Sequence, residues 1–481
     1  MSISSALSNA LSGLTANSRA VSVVASNLAN LQTEGYGRRD IALESDRNGG
    51  VRVTGTTRHV DQAVLSDLRS AGSDIAYSET RAQFLGNVQM QLGTPDQAGS
   101  LPARIAALEA SLITASSRPE ATDRLHKVAL RANEVTSGFT ELSDSIQSAR
   151  MTAEDDIAQG VRTLNMALGQ VKDLNSQILN ARQGGVETSS LLDQRQVVID
   201  RIAEFIPVRE VPRDNGAVAL MTPGGAMLVD GPAATLEFTK TNLIAPHMTL
   251  DNGLLSGLSI NGIDVASSGS RSPIAGGRLS ALFEVRDTLS VDAQTQVDAL
   301  ARDMISRFQD VGVDPTLGGG APGLFTDAGA VFDATNEVGI AGRMELNALV
   351  DPGQSAEFWR LRDGLAATSQ GPEGNGVLLG AMSDALSARN VLSSGAMAGS
   401  SGSTAQHVAA LVSRTAQNQL AQEQVSSFTA TRQSELQERL SLDGVDSDAE
   451  TQRLLLIEQA YSANARMIQT LDEMMQTLLR I

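Results

Sequence analysis

The sequence predicts a mainly α protein: a long helical-bundle or coiled-coil rod formed by both chain ends, with a small inserted antiparallel β domain. Three observations carry this. Both ends repeat apolar residues in a three–four alternation, the stretch from about 120 to 184 keeps helical periodicity throughout, and aromatics supply only 3% of residues. Cores must then be built from Ala, Leu, Val and Ile, which suits closely packed helices.

In chain order, Arg19 is the single charged side chain up to Thr33. Ile3, Leu7, Ala10, Leu14, Asn17, Val21, Val24, Leu28 and Leu31 mark a coiled-coil seam, and that helix should stop at Gly35. Residues 60–92 form an amphipathic helix through Val64, Leu68, Phe84, Val88 and Leu92, and Pro102 opens a shorter one. The seam Leu125, Val128, Ala132, Val135, Phe139, Leu142, Ile146, Ala149 slips phase near Ala153 and resumes through Ile157 to Ile178. One helix can therefore reach Gly184, roughly 90 Å at 1.5 Å per residue. A further helix spans 190–206 and ends at Pro207.

Between 208 and 275 the period changes. Short apolar runs (Ala217–Met221, Ala226–Val229, Thr235–Phe238) alternate with Asp-Asn-Gly, Pro-Gly-Gly and Asp-Gly-Pro turns, the pattern of a small antiparallel sheet. Helix returns at 278–311, a Gly/Pro-rich irregular stretch follows, and 404–440 is helical again. The last helix opens at a Ser447–Glu450 capping box. Its seam is Leu454, Ile457, Tyr461, Asn464, Ile468, Leu471, Met475 and Leu478.

This divides the chain into a terminal coiled-coil domain (1–45 plus 441–481), a helical rod (46–207 plus 278–440, irregular near 312–400) and the β insertion (208–277). A helix with one broad apolar stripe draws its stability from what it packs against, so both ends need partners. The simplest arrangement packs them on each other, with the seam asparagines Asn17 and Asn464 in one interface.

Composition excludes several function classes. With 37 basic against 55 acidic residues the net charge is −18, which opposes binding to nucleic acid or anionic lipid. No cysteine occurs, so thiolate chemistry and Cys-ligated zinc are absent. No apolar run approaches the ~18 residues of a membrane span, and the first residues are not expected to be a cleaved signal peptide.

Catalytic, cofactor and metal motifs are likewise not found. His59, His126, His247 and His407 stand apart without a second ligand at metal-site spacing, and read as surface or helix-face residues. Gly318, Gly320 and Gly323 match a dinucleotide fingerprint only formally: Pro322 interrupts them and no strand–helix pair brackets them. The lysines are Lys127, Lys172 and Lys240, none following glycine, so there is no phosphate-cradling loop. Glu154, Asp155 and Asp156 read as a solvated helix face, without the apolar wall a raised pKa needs.

Residues 26–38, Ser-Asn-Leu-Ala-Asn-Leu-Gln-Thr-Glu-Gly-Tyr-Gly-Arg, closely resemble the N-terminal signature of the bacterial flagellar rod, hook and hook-associated proteins. Gln459–Thr470 resembles the C-terminal partner signature of that axial family. The segment Leu191–Asp200 followed by Ile206-Pro207-Val208 resembles the hook-associated, junction-forming members, whose long internal helices separate them from hook and rod proteins with mostly β middles.

The resemblance implies a non-enzymatic structural subunit without cofactor or metal, polymerising at the hook tip to form the hook–filament junction. Its terminal helices would order on assembly as an inner tube, with the β domain facing outward. Expected assembly residues are the two seams together with Tyr36. Implied partners are copies of itself in a helical or ring assembly, hook protein below, a second junction protein and filament above, the filament cap during assembly, and an export chaperone. The chaperone would hold roughly 440–481 through Leu454, Ile457, Tyr461, Ile468 and Leu471. Export through the flagellar type III apparatus would make the protein secreted and extracellular, without nucleic acid or membrane insertion. The alternatives are a hook or rod subunit, or a secreted helical adhesin or secretion-tip protein.

Overall fold

The structure is a computed structural model that describes residues 3–47, 49–269 and 271–480; the outermost positions of the expected terminal domain (1, 2 and 481) lie outside them. Helix α1 (Ile3–Ala29) stops at Ala29 rather than at Gly35. Asn30 ends it locally: its Nδ2 donates to Ser26 O at 2.9 Å and its Oδ1 accepts from Thr33 Oγ1 at 3.1 Å. The chain then turns into a hairpin that helical periodicity does not reveal, β1 (Arg38–Ser45) and β2 (Val51–His59), antiparallel with Arg38 opposite His59 and Ser45 opposite Val51. The border expected at 45/46 therefore falls between the two strands. The hairpin tip belongs with α1, since Val51 N donates to Ser12 Oγ at 3.1 Å.

Helix α2 (Gln62–Leu92) starts at Asp61, which accepts from Ala63 N and Val64 N. Ser100 caps α3 (Leu101–Ser116). Helix α4 (Thr122–Gln183) is continuous over 62 residues, and α5 (Ser189–Phe205) folds back beside it. The β insertion is two three-stranded antiparallel sheets: β3 (Arg209–Pro212), β4 (Val218–Met221) and β5 (Met227–Val229) in one, β6 (Leu236–Glu237), β7 (Leu258–Ile260) and β8 (Ile263–Val265) in the other. It is fastened to α4. Asn165 pairs with both backbone groups of Leu236 (2.8 and 2.9 Å), and Asn175 does the same with Val218 (2.8 and 3.2 Å). Leu220, Leu228, Leu236 and Leu258 share one apolar core with Leu164, Leu168 and Val171 of α4.

Helices α6 (Gly277–Glu284) and α7 (Ser290–Phe308) run on through a π-helical turn at Val285–Leu289. Beside it the expectation of a solvated acidic face on α4 fails for Glu154. That carboxylate is buried, accepting from Thr241 N and Arg286 Nη1, each at 2.6 Å. The π-turn lies where the buried Arg286 guanidinium meets it. Asp155 instead pairs with Lys240. Asp156 has its pKa raised, first by burial and then by Asp155.

The irregular segment holds β9 (Phe325–Asp327) paired with β10 (Met344–Leu346), a one-turn helix α8 (Arg360–Asp363), and an unanticipated helix α9 (Val377–Ser387). A short pair, β11 (Asn390–Val391) and β12 (Ser401–Gly402), precedes α10 (Thr404–Leu442), which carries a full Ser403/Gln406 capping box. Helix α10 packs antiparallel along α2, with Gln433 beside Gly72 and Gln419 beside Gly86. Helix α11 (Ser447–Leu479) is capped by Asp446, not by Ser447: Asp446 accepts from Asp448 N and Ala449 N. Glu450 is thereby free of the expected capping box and turns toward α1.

Candidate assembly interface

Helices α1 and α11 pair antiparallel. Asn27 meets Glu450, and Asn464 lies against Gly13; fourteen residues back along one helix match fourteen forward along the other. On α11 the inward positions are Glu450, Leu454, Ile457, Asn464, Ile468 and Leu471, which follow the three–four alternation. On α1 the inward face keeps Ala10 and Val24 of the sequence seam and elsewhere lies one residue from it. Ala10, Ala16, Ala20, Val24 and Asn27 are its buried residues, while Leu14 and Leu28 are half-buried and Val21 and Leu31 exposed. Small side chains let the two backbones approach, and the larger leucines are left at the side. Asn17 and Asn464 border the same helix pair, one turn apart, without bonding each other.

The turn after α1 is organised by Asn27. Its Oδ1 accepts from Arg39 N (3.1 Å) and Tyr36 OH (2.9 Å), and its Nδ2 donates to Arg39 O (2.9 Å) and Glu450 Oε1 (3.0 Å). An amide is the group that supplies donor and acceptor together to a backbone residue. Gly35 sits at φ +74°, where a Cβ would lie 2.4 Å from Val197 Cγ2 on α5, so the turn presses directly on that helix.

Asp193 of α5 completes the joint. Its Oδ1 accepts from Gly37 N (3.0 Å) and Arg58 Nε (2.7 Å), and its Oδ2 from Arg39 Nη2 (2.7 Å). Arg58 also reaches Gln196 and Gly35 O. Farther along, Arg195 holds Asn175 and Gly216 O, and Arg69 bridges Asp200 and Glu210. Burial raises the Asp200 pKa despite Arg69. The sequence segment 191–200 is thus the docking plate for the N-terminal turn. Asp193 of that segment and its hairpin partners Arg39 and Arg58 were not among the predicted site residues; the polar pattern Asp193-x-x-Gln196 on one helix face was the available signal.

At the hairpin root, Asp40 is approached by Arg453 of α11, His59 and Arg38. Burial alone would raise the Asp40 pKa, but the hydrogen bond and charge of Arg453, with Arg38 and His59, hold it below the ordinary aspartate value.

Much apolar surface remains open at the chain ends. Leu455 (54%), Leu456 (65%) and Leu478 (59%) of α11 and Leu11 (56%) of α1 are exposed, as are Tyr461, Met467, Met474 and Met475. Exposed apolar side chains gathered on one helix suit an interaction site, and burying one such Leu or Met contributes about 1.5–3 kcal/mol. Tyr36 is half-buried and bonds inward.

An open groove of about 780 Å³ beside the turn is lined by Tyr36, Arg39, Leu174, Asp193 and Val197, with Glu34 and Asp173 adding two further carboxylates; Arg39 is paired with Asp193. Among the described residues no group of three or more His, Asp or Glu is placed to hold a metal ion, and no helix is long and apolar enough to cross a membrane. His59 faces Asp40, His126 stacks on Phe358, His407 is buried against Asn390 O, and His247 is exposed.

Both ends and the helical middle of the chain are similar to known proteins. The family model described as the flagellar hook-associated protein FlgK helical domain matches residues 85–319. The flagella basal body rod protein model matches 7–36, and the flagellar basal body rod FlgEFG protein C-terminal model matches 436–481. Flagellar hook-associated protein 1 of Bacillus subtilis (strain 168) is 22% identical over 514 residues, covering 98% of this chain and 97% of the relative. The protein of that name from Salmonella typhimurium is 24% identical over 285 residues, covering 53% of this chain and 51% of the relative. A solved hook junction protein FlgK from Burkholderia pseudomallei overlays with a TM-score of 0.45 at 18% identity, over 54% of this chain and 46% of that one.

Proposed function

We infer the function of a chain that belongs to the hook-associated protein 1 family of the flagellum: it is a structural subunit of the hook–filament junction. One observation of this molecule carries the reading. Among the described residues its exposed large apolar side chains are densest on α11, the C-terminal helix that packs on α1 and so brings the chain ends together, which suits a subunit that polymerises through its termini.

The finer statements are our reading. The α1/α11 pair with the hairpin forms the inner tube and gains its full order on assembly, because ordering costs roughly 1–2 kcal/mol per residue that burial against neighbours offsets. The helical rod packs around it, and the β insertion faces outward. Copies of the chain contact one another through the seam residues and the exposed residues beside them, hook protein lies below, and a second junction protein and filament lie above. Incorporation occurs under the filament cap. The subunit is secreted through the flagellar export apparatus, held beforehand by a chaperone on the α11 face containing Leu454, Ile457, Tyr461, Ile468 and Leu471. It acts as a scaffold without catalysis. The models that match the two ends, 7–36 and 436–481, are rod-protein models, but the helical-domain match over 85–319 favours the junction.

Deleting the gene tests this. Hooks without filaments by electron microscopy, with flagellin monomers lost to the medium, support it. Absent hooks would move the protein to the rod or hook, and normal filaments would overturn the reading.

A further inference from the structure

We propose that the α1/α11 pair has two registers, the one described above and a second in which α11 is displaced by one helical turn along α1. Three observations converge on it. The present register leaves two buried polar atoms without partners, Asn17 Nδ2 and Glu450 Oε2. It places the Asn464 side chain against Gly13, one turn short of Asn17. It also lets the last turns of α11, with Met475 and Leu478 exposed, project beyond the start of α1.

Moving α11 by four residues, about 6 Å, toward the C-terminal end of α1 answers all three. Asn464 then faces Asn17 and the two amides can pair. Glu450 passes the end of α1 at Ala29, and its carboxylate reaches water. Met475 and Leu478 come opposite Ala6 and Ile3. The positions α11 would then face, Ala6, Ala10, Gly13, Asn17, Ala20, Val24 and Asn27, keep the three–four spacing that seats the same α11 residues, and all but Asn17, Val24 and Asn27 are small. A face of small residues has few knobs to fix one register.

Against the move stand Asn27–Glu450 and Asp40–Arg453, which therefore act as the register lock. Asn27 keeps its three other bonds, and Asp40 keeps Arg38 and His59, so the N-terminal turn is preserved in both states. The linker Asp443–Asp446, containing Gly444, takes up the displacement. Elements that step one turn past a neighbour form discrete two-state devices. This inference goes beyond the junction role and holds for whichever axial position the subunit fills.

The natural absence of cysteine allows a direct test in the full-length chain. Tyr461→Cys is combined with Ala16→Cys, which faces it in the present register, with Ala20→Cys, which faces it after the move, or with Ser18→Cys on the exposed side as a control. A disulfide forms only when the Cα atoms come within about 7 Å. The expected result under mild oxidation is a major 16–461 bond and a minor 20–461 bond, on the order of a few per cent. The minor bond should rise about tenfold when Arg453→Gln removes the ion pair with Asp40 from the lock, and fall to the control level with Asn464→Ala. A 20–461 bond that stays at control level in the Arg453→Gln background would overturn the second register. Equal bonding of the Ser18 control would overturn the registered pair altogether.

Discussion

Asn27 Nδ2 lies 3.0 Å from Glu450 Oε1, joining positions 423 residues apart, and both side chains are buried. Since the same amide holds Tyr36 and both backbone groups of Arg39, docking of the C-terminal helix and folding of the N-terminal turn share one side chain.

Asn27→Ala should remove those bonds and leave the Glu450 carboxylate and the Arg39 backbone unpaired in a buried place. The expected cost is about 2–4 kcal/mol to the terminal unit. Hydrogen exchange across a urea titration checks it: α11 should lose protection well before α4, and coincident loss at the wild-type midpoint would count against the role of Asn27.

Gly35→Ala should destabilise by about 2–3 kcal/mol, combining a left-handed backbone with a collision on Val197. Adding Val197→Ala removes the colliding methyl and should recover all but the ~1 kcal/mol due to the backbone. Thermal denaturation of the single and double variants decides; no recovery means the strain lies elsewhere.

Leu456→Asp should leave stability within about 0.5 kcal/mol, because the side chain is 65% exposed and surface changes are usually small. The variant should nonetheless be missing from isolated flagella by immunoblot. Leu471→Asp is the less clean probe, since Leu471 is buried on α1 and its loss would disturb the pair itself. Normal incorporation of Leu456→Asp would remove this face from the interface.

Arg286→Met should strand the buried carboxylates of Glu154 and Asp287 and cost about 3–5 kcal/mol, whereas Arg286→Met with Glu154→Leu should recover only part of it, since Asp287 and Thr241 N stay unpaired. Exchange of amides in 240–256 reads the effect, because Thr241 N and Ser256 O are bound by this pair. Unaltered protection in the single variant would show that the pair does not fasten the insertion.

Asp40 makes the terminal unit acid-sensitive. Its pKa in the folded chain lies below the ordinary aspartate value, so its contribution is present above that value and is lost as pH falls through the depressed folded-state pKa. Protection of the first turns of α11 should drop when the pH is lowered from 5 to about 3, and Asp40→Asn should flatten that dependence. An unchanged slope in the variant would assign the acid response to other groups.

The α11 stripe was legible because Leu, Ile and Met mark it, and the long α4 because its seam never breaks for more than a turn. Part of the α1 face was misplaced by one residue because its inward positions there are Gly13, Ala16 and Ala20, which carry less apolar signal than Leu14 and Val21 beside them, while Ala10 and Val24 are buried where the seam put them. The hairpin was hidden for a related reason: Arg38–Ser45 and Val51–His59 are rich in Arg and Thr, bury no side chain fully, and so lack an apolar face to read. Glu154 could not be placed from local sequence, since its partner Arg286 is 132 residues away and lies in a π-turn that no pattern announces. The resemblance at 191–200 pointed to the right segment without its purpose, which is visible only when Asp193 is seen holding Gly37, Arg39 and Arg58 together.

That three-donor grip on one carboxylate has a mechanical meaning. A pull or twist applied to the terminal helices does not have to travel along the thin backbone between Asn30 and Arg38. It passes through Asp193 into α5 and from there into the 62-residue shaft of α4, so the load is carried by several bonds in parallel, and the covalent turn serves as a tether that stays slack while they hold.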